Sequence, residues 1–310
     1  ESVAVADFDE DGNLDIVTTN GRDDTVSVLL GDGNGGFAPQ VTFDAGDFPE
    51  SVAVADFDGD GNLDIVTANA GDDTVPGANA DTVSVLLGDG DGGFALQAIF
   101  DVEDRPVSVA VADFDGDGNA DIVTANAGDD NISVLLGNGN GGFAPQATFG
   151  VEALSVAVDD LDGDGNADIV AGGVDGTLSV LLGDGNGGFA SPLTFDSGDG
   201  LTSSIAVADF DGDGDLDVVT TDQFGENVSV LLNNLIIRGD DNNNTLFGDN
   251  NNNEIFGEGG NDFLSGLAGD DTLLGGDGND TLDGNDGNDY WLNGNEGDDL
   301  VNGGSGNDVI

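Results

Sequence analysis

The feature that most constrains the fold is a nine-residue pattern, D-x-D-x-D-G-x-x-D, which starts at Asp7, Asp56, Asp113, Asp160 and Asp209. The intervals between starts are 49, 57, 47 and 49 residues, and an insertion around Pro76 accounts for the long one. A repeat of this length cannot bury its own apolar face, so neighbouring copies must stack on one another. Each unit reads as four short strands broken by Gly, Asn and Asp, as in SVAVADF, LDIVTAN, DTVSVLLG and GGFAPQVTFDAG. The runs are too short for helices and rich in β-branched residues. Four strands in about 45 to 50 residues is the size of one propeller blade.

Near residue 236 the period drops to nine. Gly recurs at 239, 248, 257, 266, 275 and 284, then, after one inserted residue, at 294 and 303. From Gly257 onward the rungs fit G-x-x-G-x-D-x-U-x, with Asp262, Asp271, Asp280, Asp289, Asp299 and Asp308 in the aspartate slot. Two places later stand Leu264, Leu273, Leu282, Trp291, Val301 and Ile310, each expected to point inward from a three-residue strand. That is the signature of a parallel β-roll. The expected organisation is therefore all-β, with propeller repeats over 1–235 and a roll over 236–310.

Composition then narrows the chemistry. Three basic residues, Arg22, Arg105 and Arg238, face 64 acidic ones, for a net charge of −61. Such a chain has no basic patch for nucleic acid or anionic lipid, and no apolar run approaches the length of a membrane helix. Only nine acids are Glu; the remainder are Asp, which favours tight turns with a carboxylate close to the backbone. With no Cys and no His, thiol, disulfide, zinc, copper and haem chemistry are excluded and oxygen is the only ligand type left. Hard cations remain, calcium above all. Neither a Ser-His, a Cys-His nor a Lys-based nucleophile can be assembled, and Asp pairs are better explained as cation cages than as acid and base, so no catalysis is expected within this sequence.

In the aspartate pattern, alternate carboxylates at positions one, three and five, a Gly for the sharp turn, a carbonyl at seven and a carboxylate at nine make an oxygen cage of the kind calcium takes. The five predicted ligand sets are Asp7, Asp9, Asp11, Asn13 and Asp15; Asp56, Asp58, Asp60, Asn62 and Asp64; Asp113, Asp115, Asp117, Asn119 and Asp121; Asp160, Asp162, Asp164, Asn166 and Asp168; and Asp209, Asp211, Asp213, Asp215 and Asp217. An EF-hand needs a bidentate Glu at position twelve, where these loops carry Thr18, Thr67, Thr124, Ala171 and Thr220. Ordinary Asp-Gly turns or a salt-adapted surface would not fix carboxylates at five identical spacings, where without a cation they repel one another.

The stretch VAVADFDGDGNLDIV, with GDGNGGF between copies, resembles the FG-GAP or VCBS repeat of integrin-type β-propellers, over residues 1 to about 233. The resemblance implies that each aspartate loop joins the first two strands of a blade and binds calcium. Two departures leave the ligands intact: Glu10 replaces the usual Gly before the third Asp, and Leu161 replaces the Phe found at 8, 57, 114 and 210. Such propellers close with about seven blades. Five are visible, the fifth without its GGF strand, and Glu1 aligns with Glu50, so an upstream segment and a larger or incompletely closed ring are expected.

Residues 257–310 resemble the RTX nonapeptide repeat of bacterial secreted proteins. That resemblance implies calcium between rungs two repeats apart, at the pairs 262/280, 271/289, 280/299 and 289/308, while Asn244 and Asn253 in the aspartate slot imply a cap. About five ions are expected in the loops and four to six in the roll. Twelve of the Phe, at 8, 57, 114, 210, 37, 94, 143, 189, 43, 100, 149 and 195, occupy repeat slots and are expected in the core, whereas Tyr290 and Trp291 flank the inserted residue, where a bulge exposes one of them. The resulting expectation is a bacterial, secreted or cell-surface calcium-binding protein whose propeller engages a protein or glycan, with adhesion as its role. The alternatives are a non-catalytic accessory region of a secreted hydrolase and a structural subunit of a self-assembling extracellular array.

Overall fold

A computed structural model describes residues 2–71, 81–198, 200–210, 212, 215–223, 227–233, 236–248 and 252–310. These residues form two compact units, Glu1–Val207 with Val218–Leu231 and Ala208–Asp217 with Leu232–Ile310. The insertion around Pro76 and the ligand positions Asp211 and Asp213 lie outside the described residues.

The repeats form antiparallel sheets whose spatial order follows the chain. The first consists of Val3–Ala6, Asp15–Asn20, Thr25–Leu29 and Val41–Asp44. The second consists of Pro49–Ala55, Asp64–Asn69, Thr82–Leu86 and Ala98–Asp101. The third and fourth repeat this arrangement from Pro106 to Phe149 and from Ser155 to Asp196. The fifth has three strands, Thr202–Ala208, Asp217–Asp222 and Asn227–Leu231. The GGF segment differs from the expectation that it opens the fourth strand. Phe37, Phe94, Phe143 and Phe189 instead make single bridges back to Gly31, Gly88, Gly137 and Gly183, and the fourth strand starts later.

Period-two alternation gives every sheet two apolar faces, and successive sheets bury them against each other. Val17, Val26 and Val28 of the first sheet pack on Val52, Ile65 and Leu86 of the second. The same slots recur between the second and third sheets, the third and fourth, and the fourth and fifth. A Phe pair locks the first three of these interfaces edge to face, namely Phe8–Phe94, Phe57–Phe143 and Phe114–Phe189, with ring centroids 5.5 to 5.6 Å apart. The expectation that every repeat-slot Phe is core fails at Phe37, Phe195 and Phe210, which are 46–49% exposed because each lacks the neighbouring repeat element that covers its counterparts.

The second unit contains the roll, which has eight strands in two parallel sheets that alternate along the chain. Register advances by 18 residues per turn, as in Ile255↔Leu273, until the inserted residue makes it 19 at Leu273↔Leu292. The core is a single file of Ile255, Leu264, Leu273, Leu282 and Leu292, each 0–1% exposed. Burying each such side chain stabilises by about 1.5–3 kcal/mol. Trp291 is a correction: it is 58% exposed and Leu292 takes the inward slot, because the extra residue lies between Asp289 and the strand and an indole would not fit a column of Leu and Ile. Tyr290 is exposed beside it, so the bulge turns out both rings. Ile310 is 75% exposed, a second departure from the inward expectation.

Candidate metal centres

Each aspartate loop joins the first strand of its sheet to the second. Position one directly follows the first strand and position nine is the first residue of the second, so the antiparallel pairing itself draws the ends of the loop together. The turn between them needs left-handed backbone: Gly61 has φ +94° and Gly59 φ +74°, and in the first loop Glu10 takes the Gly59 slot at φ +55°. The amide of Gly61 donates to Oδ2 of Asp56 (2.9 Å), a bond repeated from Gly12 to Asp7, Gly118 to Asp113 and Gly165 to Asp160.

This frame brings together positions one, three and nine. In Asp7/Asp9/Asp15, Asp56/Asp58/Asp64, Asp113/Asp115/Asp121 and Asp160/Asp162/Asp168, one carboxylate oxygen of each residue lies within 4.8 Å of the other two. Position five does not join these clusters. Asp11, Asp60, Asp117 and Asp164 each take the backbone and side-chain N–H groups of the Asn two residues on, as in Asn62 N to Asp60 Oδ1 (2.8 Å) and Asn62 Nδ2 to Asp60 Oδ2 (2.9 Å). That places Asn13, Asn62, Asn119 and Asn166 as clamps on the fifth-position carboxylate. In the fifth loop Phe210 N donates to Asp217 Oδ2 and Asn233 N to Asp217 Oδ1, both at 2.8 Å, so the ninth position is held as in the others.

The ninth aspartate has a second role that its spacing did not reveal. Asp15, Asp64, Asp121, Asp168 and Asp217 are all 0% exposed. Asp64 accepts from Phe57 N (2.7 Å) and from Gly88 N (2.7 Å), tying the loop to the turn that follows the third strand. Gly31, Gly137 and Gly183 serve Asp15, Asp121 and Asp168 in the same way. Burial pushes the carboxyls of Asp64 and Asp121 up to about 6, against the pull of those amides and with the first- and third-position carboxylates adding repulsion. Asp168 is raised for the same leading reason.

In the roll the aspartates stack. Asp262 N donates to Asp280 Oδ1 (2.8 Å), Asp271 N to Asp289 Oδ1 (3.0 Å), Asp280 N to Asp299 Oδ1 (2.9 Å) and Asp289 N to Asp308 Oδ1 (3.2 Å). These are the same residue pairs that the resemblance to RTX repeats implies. Asn244 N and Asn253 N extend the ladder to Asp262 and Asp271 (2.8 Å each). Burial raises the carboxyls of Asp280 and Asp289, with neighbouring carboxylates adding to the shift.

An oxygen-coordinated cation fits both systems. The Oδ1 atoms of Asp7 and Asp160 and the Oδ2 atoms of Asp262, Asp280 and Asp289 are buried and accept no hydrogen bond. A buried carboxylate oxygen left so is costly unless a cation meets it. In the roll, Asp262 Oδ2 and the Gly275 carbonyl converge on the space a Cβ at Gly257 would fill, and Asp280 Oδ2 and the Gly294 carbonyl do so at Gly275. Loop cages would therefore be mostly carboxylate, whereas roll cages would mix carboxylate with backbone carbonyl. The recurring Gly of each rung is the sequence signal for those carbonyls.

Comparison with known proteins agrees with this division. A model of the FG-GAP-like repeat matches residues 3–67, 71–124, 113–171 and 160–220. A model of the RTX calcium-binding nonapeptide repeat matches 238–273, 256–290 and 291–310. No curated protein matches. Among solved structures, a Photorhabdus luminescens Tc holotoxin pore is 20% identical over 74% of this chain (TM-score 0.43), and the V. cholerae biofilm matrix protein Bap1 is 22% identical over 74% (TM-score 0.40). BBS1N in complex with ARL6DN is 13% identical over 73% (TM-score 0.46). The chain spans 11%, 36% and 64% of those three chains, respectively.

Proposed function

Because this chain belongs to the FG-GAP-like repeat family and ends in RTX calcium-binding nonapeptide repeats, we propose that it is a calcium-loaded adhesin of a bacterial surface or matrix. The observation that carries the calcium half is the recurrence of three clustered carboxylates at the same positions of four loops, beside buried carboxylate oxygens that no N–H group satisfies. Asp7, Asp9 and Asp15, and their equivalents in each loop, would hold one ion per loop; Asp262, Asp280 and Asp289 with the facing carbonyls would hold ions between rungs. Calcium would neutralise carboxylates that otherwise repel and fix the turns that the strands leave free.

RTX repeats are typical of secreted bacterial proteins, which supports export, with the roll folding where calcium is abundant. The repeat sheets, read as blades of a propeller, would present loops to a protein or glycan, and the absence of Cys, His and Lys supports a binding rather than a catalytic role. The test is retention of the labelled chain on immobilised glycans and matrix proteins. Retention in calcium that is lost in chelator supports adhesion; no retention in either medium, or equal retention in both, overturns it.

A further inference from the structure

In the first three loops the Phe at position two stands between two ligand positions and also faces the next sheet. Phe57 lies between Asp56 and Asp58 and is buried. Its N–H donates to Asp64 Oδ2 (2.7 Å), which ties it to the third member of that carboxylate cluster. Its carbonyl accepts from Gly141 N (2.9 Å), and its ring meets Phe143 edge to face; both partners belong to the turn that follows the third strand of the next sheet. Phe8 makes the same two contacts with Gly92 (3.1 Å) and Phe94, and Phe114 makes them with Gly187 (3.0 Å) and Phe189.

Each of these turns is tightly closed and is anchored at its other end on the ninth aspartate of its own sheet. In the turn 137–143, Gly137 pairs with Phe143, Asn138 N donates to the Gly142 carbonyl (3.0 Å), and Asn138 Oδ1 accepts from Asn140 N (3.0 Å) and Gly142 N (3.2 Å). Asp89 and Asp184 close 88–94 and 183–189 in the same way. Gly141, Gly92 and Gly187 have φ between +71° and +77°, and a Cβ there would meet Leu87, Leu30 or Leu136 of the preceding repeat at 2.9 to 3.1 Å, so glycine lets the turn lie close. The result is an unbroken line of contacts through four loops. It runs from Asp15 through Phe8 and the turn 88–94 to Asp64, through Phe57 and the turn 137–143 to Asp121, and through Phe114 and the turn 183–189 to Asp168.

We propose that these turns couple the calcium sites of successive repeats, so that filling one loop raises the calcium affinity of the loops on either side; this rests on the reading of the loops as calcium cages. Without an ion, the carboxylates at positions one, three and nine repel one another and the loop spreads, which draws the carbonyl of the Phe between them away from the next turn. A filled loop fixes that carbonyl and seats the turn. The first amide of the turn then holds the neighbour's ninth aspartate in place, so its ordering is no longer a cost of loading the neighbouring site. Linkage makes the effect mutual, and because each turn bonds only to the two sheets it joins, the effect falls off beyond nearest neighbours.

The test is hydrogen exchange read by mass spectrometry on the full chain, over a calcium series at fixed ionic strength, so that the peptide covering each loop gives its own midpoint. Asp58→Asn removes a ligand from the second loop. The midpoints of 7–15 and 113–121, whose own carboxylates are intact, are expected to rise at least about fivefold, and that of 160–168 by less. Gly141→Ala keeps every carboxylate but unseats the turn between the second and third sheets. In that background Asp58→Asn is expected to shift 7–15, reached through Gly92, and to leave 113–121 unmoved; the retained response at 7–15 shows that the variant is folded. Asp58→Asn alone decides the coupling, and Gly141→Ala decides its route. Midpoints at 7–15 and 113–121 that Asp58→Asn leaves unchanged overturn the coupling while the cages stand, whereas loops without any calcium-dependent protection overturn both. A shift at 113–121 that survives Gly141→Ala overturns the role of the turn.

Discussion

Replacing Asp121 by Asn separates the charge of a ninth-position residue from its hydrogen bonding. Asp121 is 0% exposed, accepts from Phe114 N (2.8 Å) and Gly137 N (2.6 Å), and has its carboxyl raised by burial from 3.8 to about 6. A rise of about 2 pH units costs the calcium-free fold on the order of 3 kcal/mol at neutral pH. Asn removes that cost, but it offers one acceptor oxygen instead of two, so one backbone donor is left unmatched at about 1–3 kcal/mol. The two effects nearly cancel in chelator. In calcium the substitution removes a ligand carboxylate, and a site held at 100 times its Kd contributes roughly 2.7 kcal/mol. At roughly 2–4 °C per kcal/mol, scanning calorimetry should show Tm in calcium falling by about 5–10 °C while Tm in chelator moves by no more than about 3 °C. An equal fall in both media would refute the reasoning and leave Asp121 as a purely structural residue.

Two further outcomes follow from the same groups. Asp64 and Asp121 stay protonated up to about pH 6 in the calcium-free fold but ionise near 3.8 when unfolded, so the folded state binds more protons between those values and stability falls as pH rises through that window. Urea midpoints in chelator should drop from pH 4 to pH 6 and flatten in an Asp64→Asn/Asp121→Asn variant; midpoints that rise would contradict the assignment. In the roll, Gly275→Ala puts a methyl group where Asp280 Oδ2 and the Gly294 carbonyl converge. The calcium concentration needed for the fluorescence change of Trp291, the chain's one tryptophan, should rise at least about tenfold, and an unchanged midpoint would mean that no ion sits there.

Local pattern carried much of this protein and non-local contact the rest. The carboxylates of Asp56, Asp58 and Asp64 were legible as one site because a single turn of chain holds them at fixed spacing. The bond from Gly88 to Asp64 was not, since the two are separated by 24 residues and meet only when the third strand pairs back. Spacing alone also did not show that Asp60 lies outside the cluster of Asp56, Asp58 and Asp64, with Asn62 two residues on donating to both of its oxygens. Counting nine residues per rung placed Trp291 inward, but the count cannot say on which side of a strand an extra residue settles; the width of the Leu column decides that. Phe210 reads as core from its slot, and is exposed because a slot becomes core only when another sheet covers it.

The central claim is that the aspartate slots are calcium cages and not merely surface charge. Equilibrium dialysis of the full chain at fixed physiological ionic strength, with calcium counted per chain, tests it most directly. The account predicts saturable binding of one ion for each aspartate loop and one for each of the rung pairs 262/280, 271/289, 280/299 and 289/308, retained when sodium chloride is raised severalfold. Calcium that dialyses away as sodium replaces it, with no saturable class left, would contradict the account, because only screening of exposed charge behaves in that way.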